Sequence, residues 1–79
     1  MNEKQINAML KQLRAQFKKQ NPGKSAEQID EMILDLFFKM YCYDKMDRHD
    51  LTTLTEAMGY EVKDDVLDEI EKEKEGGKA

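Results

Sequence analysis

Apolar side chains recur at spacings of three and four residues along the first part of the chain, which is the pattern of an amphipathic helix. We expect a first helix from about Asn2 to Gln20. The segment 21–24 should end it, because the residue before Pro22 avoids the α region and Gly23 permits a turn. The predicted inner face carries Ile6, Met9, Leu10, Leu13 and Phe17.

A second helix should begin after Ser25, because Ser25 and Gln28 have the spacing of a capping box. Its main apolar stripe comprises Ile29, Met32, Ile33, Leu36, Phe37, Met40 and Tyr41. Leu34 and Phe38 lie beyond the edge of that stripe on a helical wheel. The apolar arc then spans roughly 240°, against about 100° for an ordinary surface helix. Either the other helices cover this arc, or part of it binds a partner.

Two shorter helices are predicted near the C-terminus. After a polar break at residues 43–50, a third helix of about Leu51 to Met58 should end at Gly59, which is a favourable helix stop. The candidate N-caps in the break are Asp44, Asp47 and Asp50. A fourth helix is expected from about Lys63 to Glu75, with acidic residues at its start and Lys at its end, as the helix dipole favours.

These elements predict an all-α fold. We expect a compact bundle of three to four helices with the hydrophobic second helix at its centre and a C-terminal αα-hairpin. Residues 1–75 would form a single domain, and residues 76–79 a disordered tail. A chain of 79 residues buries only about 60% of its unfolded surface, so efficient packing or a partner is needed for stability.

Composition points to a cytoplasmic protein. Cys42 is the single cysteine, which fits a reducing compartment. The N-terminus has no apolar segment of a secretory signal, and no stretch approaches the roughly 20 apolar residues of a membrane span. We therefore expect neither secretion nor membrane insertion.

Charge is unevenly distributed along the chain. Residues 1–24 carry six Lys/Arg and one Glu (+5), and residues 25–79 carry seven Lys/Arg and sixteen Asp/Glu (−9), which gives the net charge of −4. A basic stripe on the first helix comprises Lys4, Lys11, Arg14 and Lys18. This stripe is either a solvated face or a weak contact for phosphates or acidic proteins. The overall acidity argues against nucleic acid as the main partner.

The stretch 44–55 has the length of a calcium-binding loop but lacks its ligands. Asp44 would occupy the first position, but Met46 and Arg48 stand where oxygen ligands are needed. Thr55 stands where a bidentate glutamate is needed. The better interpretation is an inter-helix loop with acidic caps, and no metal site is expected.

The segment 51–60 resembles the first half of a helix-turn-helix, with Leu51 at its start and Gly59 between apolar neighbours. The second half departs from that pattern. The helix that would enter DNA carries Asp64, Asp65, Asp68 and Glu69. Phosphates repel such a helix, so a plain αα-hairpin is the better interpretation.

No constellation for catalysis is evident. His49 is the only histidine, and Cys42 lies in an apolar segment where a thiol stays inert. No phosphate loop, zinc motif or redox motif occurs, so we expect no enzyme activity, no cofactor and no small-molecule ligand.

The sequence therefore favours a small non-catalytic protein-interaction module, an accessory or regulatory protein that binds another protein or itself as a homodimer. The surplus apolar surface of the second helix would form the contact. The expected contact residues are Leu34, Phe38, Tyr41 and Tyr43. The alternative is a nucleic-acid-associated regulator that contacts phosphates through the basic stripe of the first helix.

Overall fold

The computed structural model describes residues 2–77 and is all-α in that range, as predicted. Its four helices are α1 (Glu3–Gln20), α2 (Ala26–Cys42), α3 (Arg48–Ala57) and α4 (Asp64–Gly77). The predicted C-terminal helix pair is confirmed as α3 and α4. Within this range, no helix is long and apolar enough to cross a bilayer.

The chain divides into two compact units, and the division falls inside α2, between Leu36 and Phe37. Unit 1 contains α1 and the start of α2, and unit 2 contains the end of α2 with α3 and α4. The buried apolar side chains of unit 1 are Ile6, Leu10, Ile29 and Ile33. Those of unit 2 are Phe37, Tyr41, Leu51, Leu54, Met58 and Leu67. The single domain predicted over residues 1–75 stays a prediction.

Both helices of unit 1 begin with a capping box. The Asn2 side chain accepts from the Gln5 amide at 2.8 Å, and the Gln5 side chain accepts from the Asn2 amide at 3.1 Å. Ser25 and Gln28 make the same reciprocal pair at the start of α2, at 3.2 and 2.9 Å. Each box satisfies two backbone N–H groups at a helix start, which confirms the start predicted for the second helix.

The helices of unit 1 run antiparallel on either side of the turn at residues 21–25. Arg14 of α1 reaches Asp30 of α2 at 2.8 Å, and the Lys18 ammonium donates to the Lys24 carbonyl. Each pair joins two residues at nearly equal sequence distances from the turn, as expected for two antiparallel helices of a hairpin. The turn itself follows Asn21, whose amide and side chain both donate to the Phe17 carbonyl, at 2.9 and 3.0 Å.

In unit 2, α2 and α3 end in the same motif, with one residue in the left-handed conformation. At the end of α3, Gly59 has φ +90°, its amide donates to the Glu56 carbonyl, and the Tyr60 amide donates to the Thr55 carbonyl. At the end of α2, Asp44 takes that place with φ 59°. These bonds satisfy carbonyls that a helix end leaves open. The predicted stop at Gly59 is confirmed.

The last two helices differ from the sequence prediction at their ends. Asp47 caps α3, because its side chain accepts from the Asp50 amide at 2.8 Å. The helix therefore begins at Arg48, three residues before the predicted start at Leu51. The fourth helix, α4, includes Gly76 and Gly77, where a disordered tail was predicted. Lys78 and Ala79, the rest of that tail, lie outside the described residues.

Candidate functional site

One row of side chains on α2 is fully buried. Ile29, Ile33, Phe37 and Tyr41 follow one another at every fourth position and are at most 3% exposed. The apolar residues on both sides of this row remain partly exposed: Met32, Leu36 and Met40 on one side, and Leu34 and Phe38 on the other. The wide apolar arc of α2 is therefore covered completely only along its central row.

Leu34 and Phe38 lie one turn apart on α2, so their side chains share one side of the helix. Both are partly exposed. We call Leu34 and Phe38 the α2 surface. It remains the candidate contact for a partner.

Tyr41 is part of the protein interior, because it is only 3% exposed. Its hydroxyl donates to a Glu71 carboxylate oxygen of α4 at 2.6 Å. The Lys74 ammonium lies 4.6 Å from the ring centroid and donates to the Tyr41 carbonyl at 2.9 Å. Burial, followed by the bond to Glu71, raises the pKa of Tyr41 to about 12. Tyr41 thus holds α4 against the end of α2 and offers no surface to a partner.

Tyr43 is 74% exposed but does not join the α2 surface. Its amide donates to the Lys39 carbonyl at 3.0 Å, so the helical rotation still applies at this position. Five residues after Phe38, Tyr43 lies about 140° further around the helix axis. Of the four predicted contact residues, Leu34 and Phe38 therefore share one side of α2. Tyr41 is buried, and Tyr43 is exposed on another side.

Arg48 connects α3 to one face of α4. Its guanidinium contacts the carboxylates of Asp68 at 2.8 Å, Asp64 at 3.2 Å and Glu71 at 3.4 Å. Hydrogen bonds to Asp68 and Asp64 raise the pKa of Arg48 above its ordinary value. The three acidic residues follow one another at helical spacing, so a single planar cation can bridge them. Three of the seven acidic residues of α4 thus have an internal structural role.

Another ion pair joins α4 to the turn after α2. Lys74 contacts the Asp44 carboxylate at 2.7 Å, beside its contacts with Tyr41. Asp44 is the residue with positive φ at the end of α2. The Lys74 side chain therefore holds the irregular turn after α2 as well as the buried ring before it. Sequence reasoning missed this junction and the Arg48 cluster.

The basic stripe predicted on α1 is partly engaged within unit 1. Arg14 donates two hydrogen bonds to Asp30, at 2.8 and 3.3 Å, so its charge already has an acidic partner. Lys18 donates to a backbone carbonyl, which does not neutralise its charge. Lys4 and Lys11 are exposed. The stripe therefore presents fewer available cations than its sequence suggests.

The residues considered for catalysis are not brought together into a site. Cys42 is exposed at the end of α2, although its apolar sequence context predicted a shielded thiol. His49 is also exposed, on the first turn of α3. Within residues 2–77, no group of three or more His, Cys, Asp or Glu side chains could hold a metal ion.

No protein-family model matches the chain, and no curated protein or solved structure matches it significantly.

Proposed function

We propose that this protein is a non-catalytic protein-interaction module that binds another protein, or a second copy of itself, through the α2 surface. The observation that carries the proposal is the partial exposure of Phe38 and Leu34 on one side of a helix whose central row is buried. When a partner covers a large aromatic side chain that is in contact with water, the free energy of the complex is lowered. Aromatic residues near the centre of a patch also contribute most to interface energies.

The charge distribution supports binding to a protein in preference to a polyanion. Residues 37–79 carry seven Lys/Arg and twelve Asp/Glu, so the segment that contains Phe38 is acidic. A phosphate backbone would be repelled there. We place the protein in the cytoplasm, because a reducing compartment keeps the exposed Cys42 thiol free.

The test compares two substitutions on α2. Phe38→Asp puts a charge on the α2 surface and is expected to abolish association through that surface. Tyr43→Asp, the matched control, puts the same charge in place of an exposed ring on another side of the helix and is expected to retain association. Light scattering at high protein concentration measures self-association, and affinity capture from the source cell measures binding to other proteins. Circular dichroism confirms that both variants are folded.

Two outcomes would contradict the proposal. One is a wild-type protein that is monomeric at high concentration and captures no protein. The other is equal loss of binding in Phe38→Asp and Tyr43→Asp, because the effect would then come from added charge and not from the α2 surface.

The alternative, a nucleic-acid contact through α1, has less support. Pairing of Arg14 with Asp30 leaves Lys4, Lys11 and Lys18 as the cations of the predicted stripe without an acidic partner in residues 2–77. This function requires binding to mixed DNA or RNA that weakens steeply with salt and is lost in Lys11→Glu/Lys18→Glu. Absence of binding at low salt would exclude it.

A further inference from the structure

Unit 1 has a surface depression between α1 and α2, near the turn that joins them. Its floor is formed by short or buried side chains: Ala15, Ala26 and Ile29. Its rim carries Arg14, Lys18 and Asp30, so two cations face one anion. Because the two alanines end at Cβ, the floor stays open to a small apolar group, and the rim favours a negatively charged one.

Unit 2 carries a surface with the opposite properties on α4. Val66 is 47% exposed. Val66 and Tyr43 are the exposed large apolar side chains of residues 2–77. Glu69 and Glu73 are exposed and follow Val66 at spacings of three and seven, so all three share one helix face. The ion pairs that α4 makes within residues 2–77 do not involve either glutamate.

We infer that α4 of one copy docks into the α1–α2 depression of a second copy. The Val66 side chain would occupy the floor beside Ala15 and Ala26, and Glu69 and Glu73 would lie near Lys18, because Arg14 is already paired with Asp30. Charge complementarity selects this occupant. The residues of α1 carry five Lys/Arg and one Glu (+4), and those of α4 carry seven Asp/Glu and two Lys (−5). An exposed valine that precedes two carboxylates on one helix face matches an apolar floor beside the Lys18 ammonium.

The contact uses different surfaces on the two copies, so it is heterologous. Each copy then keeps one free floor and one free Val66 face, and association continues beyond a dimer unless a ring closes. One apolar side chain and the charge contacts of one lysine make a small interface, so the complex is weak and is measured at protein concentrations of about 0.1–1 mM. Raising NaCl from about 0.1 M to about 1 M should weaken it, because exposed ion pairs are screened.

The test is a complementation experiment by sedimentation velocity. Ala15→Glu fills the floor and adds a negative charge, and Val66→Asp removes the apolar group from α4. Both positions are exposed, so folding should be retained, which circular dichroism checks. Each variant alone is expected to be monomeric. An equimolar mixture is expected to form a 1:1 dimer and nothing larger, because Ala15→Glu keeps an intact Val66 face and Val66→Asp keeps an intact floor.

Three results would overturn the inference: a monomeric wild type at about 1 mM, a single variant that associates like the wild type, or a mixture that stays monomeric. The milder changes Ala15→Gln and Val66→Ser should act in the same direction, which guards against misfolding of one variant. Every variant of this test is made in the Phe38→Asp background, which removes association through the α2 surface and is expected to leave the α4 contact unchanged. Failure of the inference is therefore distinguishable from failure of the α2 surface as a binding site.

Discussion

Tyr41→Phe is expected to change how the stability of the protein depends on alkaline pH. The substitution removes one hydroxyl and keeps the buried ring with its packing. The lost contact is the 2.6 Å hydrogen bond from the Tyr41 hydroxyl to Glu71. Glu71 keeps its contact with Arg48 at 3.4 Å. At neutral pH we therefore expect a loss of about 1 to 2 kcal/mol in the free energy of unfolding, as for a hydrogen bond to a charged group that is partly exposed.

The pH dependence follows from the pKa of Tyr41, which is 10.0 in its ordinary state and about 12 in the folded protein. Below pH 10 the hydroxyl is protonated in both states, so its stabilising contribution is fully present. Between these two pKa values the unfolded chain binds fewer protons than the folded one, so stability falls as pH rises. The loss amounts to roughly 2 kcal/mol, after allowance for solvent screening near the partly exposed Glu71.

The assay is urea unfolding of the wild type and Tyr41→Phe at several pH values from 7 to about 12. Ionisation of lysines affects both proteins, so the difference in unfolding free energy isolates Tyr41. That difference should be constant up to about pH 10 and should fall by roughly 2 kcal/mol by about pH 12, to zero or slightly below, because a buried tyrosinate is less favourable than a phenyl ring. Absorbance at the tyrosinate band gives an independent measure, because the wild-type minus Tyr41→Phe titration reports this hydroxyl alone. A constant difference over the whole range, or ionisation of Tyr41 near pH 10, would refute the reasoning.

Gly59→Ala should cost about 1 to 2 kcal/mol, because φ is +90° and the added Cβ meets no atom within 4 Å, so the strain is conformational. The control Gly23→Ala should stay within about 0.5 kcal/mol in the same urea assay, and equal effects at the two glycines would contradict this account. Arg48→Gln should speed amide hydrogen exchange in α4 at neutral pH, with less effect for Arg48→Lys, since the charge remains but the planar fork is lost. Unchanged exchange would mean that the cluster does not hold α4. Leu54→Ala, at 0% exposure, should cost about 3 to 5 kcal/mol, and a urea midpoint close to that of the wild type would disprove tight packing there.

Local signals explain which parts of the fold could be predicted from the sequence. The Ser25–Gln28 capping box and the stop at Gly59 depend on atoms within a few residues, so their sequence patterns are specific. The buried row at every fourth position from Ile29 likewise follows from helical periodicity alone. The sequence predicts the start of α3 three residues too late, because the three aspartates before Leu51 are equivalent candidate caps. The hydrogen bond that the Asp47 side chain accepts from the Asp50 amide identifies Asp47 as the cap.

The candidate site was less predictable, because burial of an amphipathic side chain depends on what lies opposite it. Tyr41 is the last residue of the buried row on α2, whereas Phe38 lies beyond the edge of the apolar stripe. Tyr41 is buried because Glu71 provides an acceptor for its hydroxyl and Lys74 packs over its ring. Phe38 has no polar atom that such an acceptor could hold, and it stays partly exposed. The acidic face of α4 therefore completes the burial of Tyr41 at the end of the row, whereas Phe38 lies beyond that row and keeps contact with water.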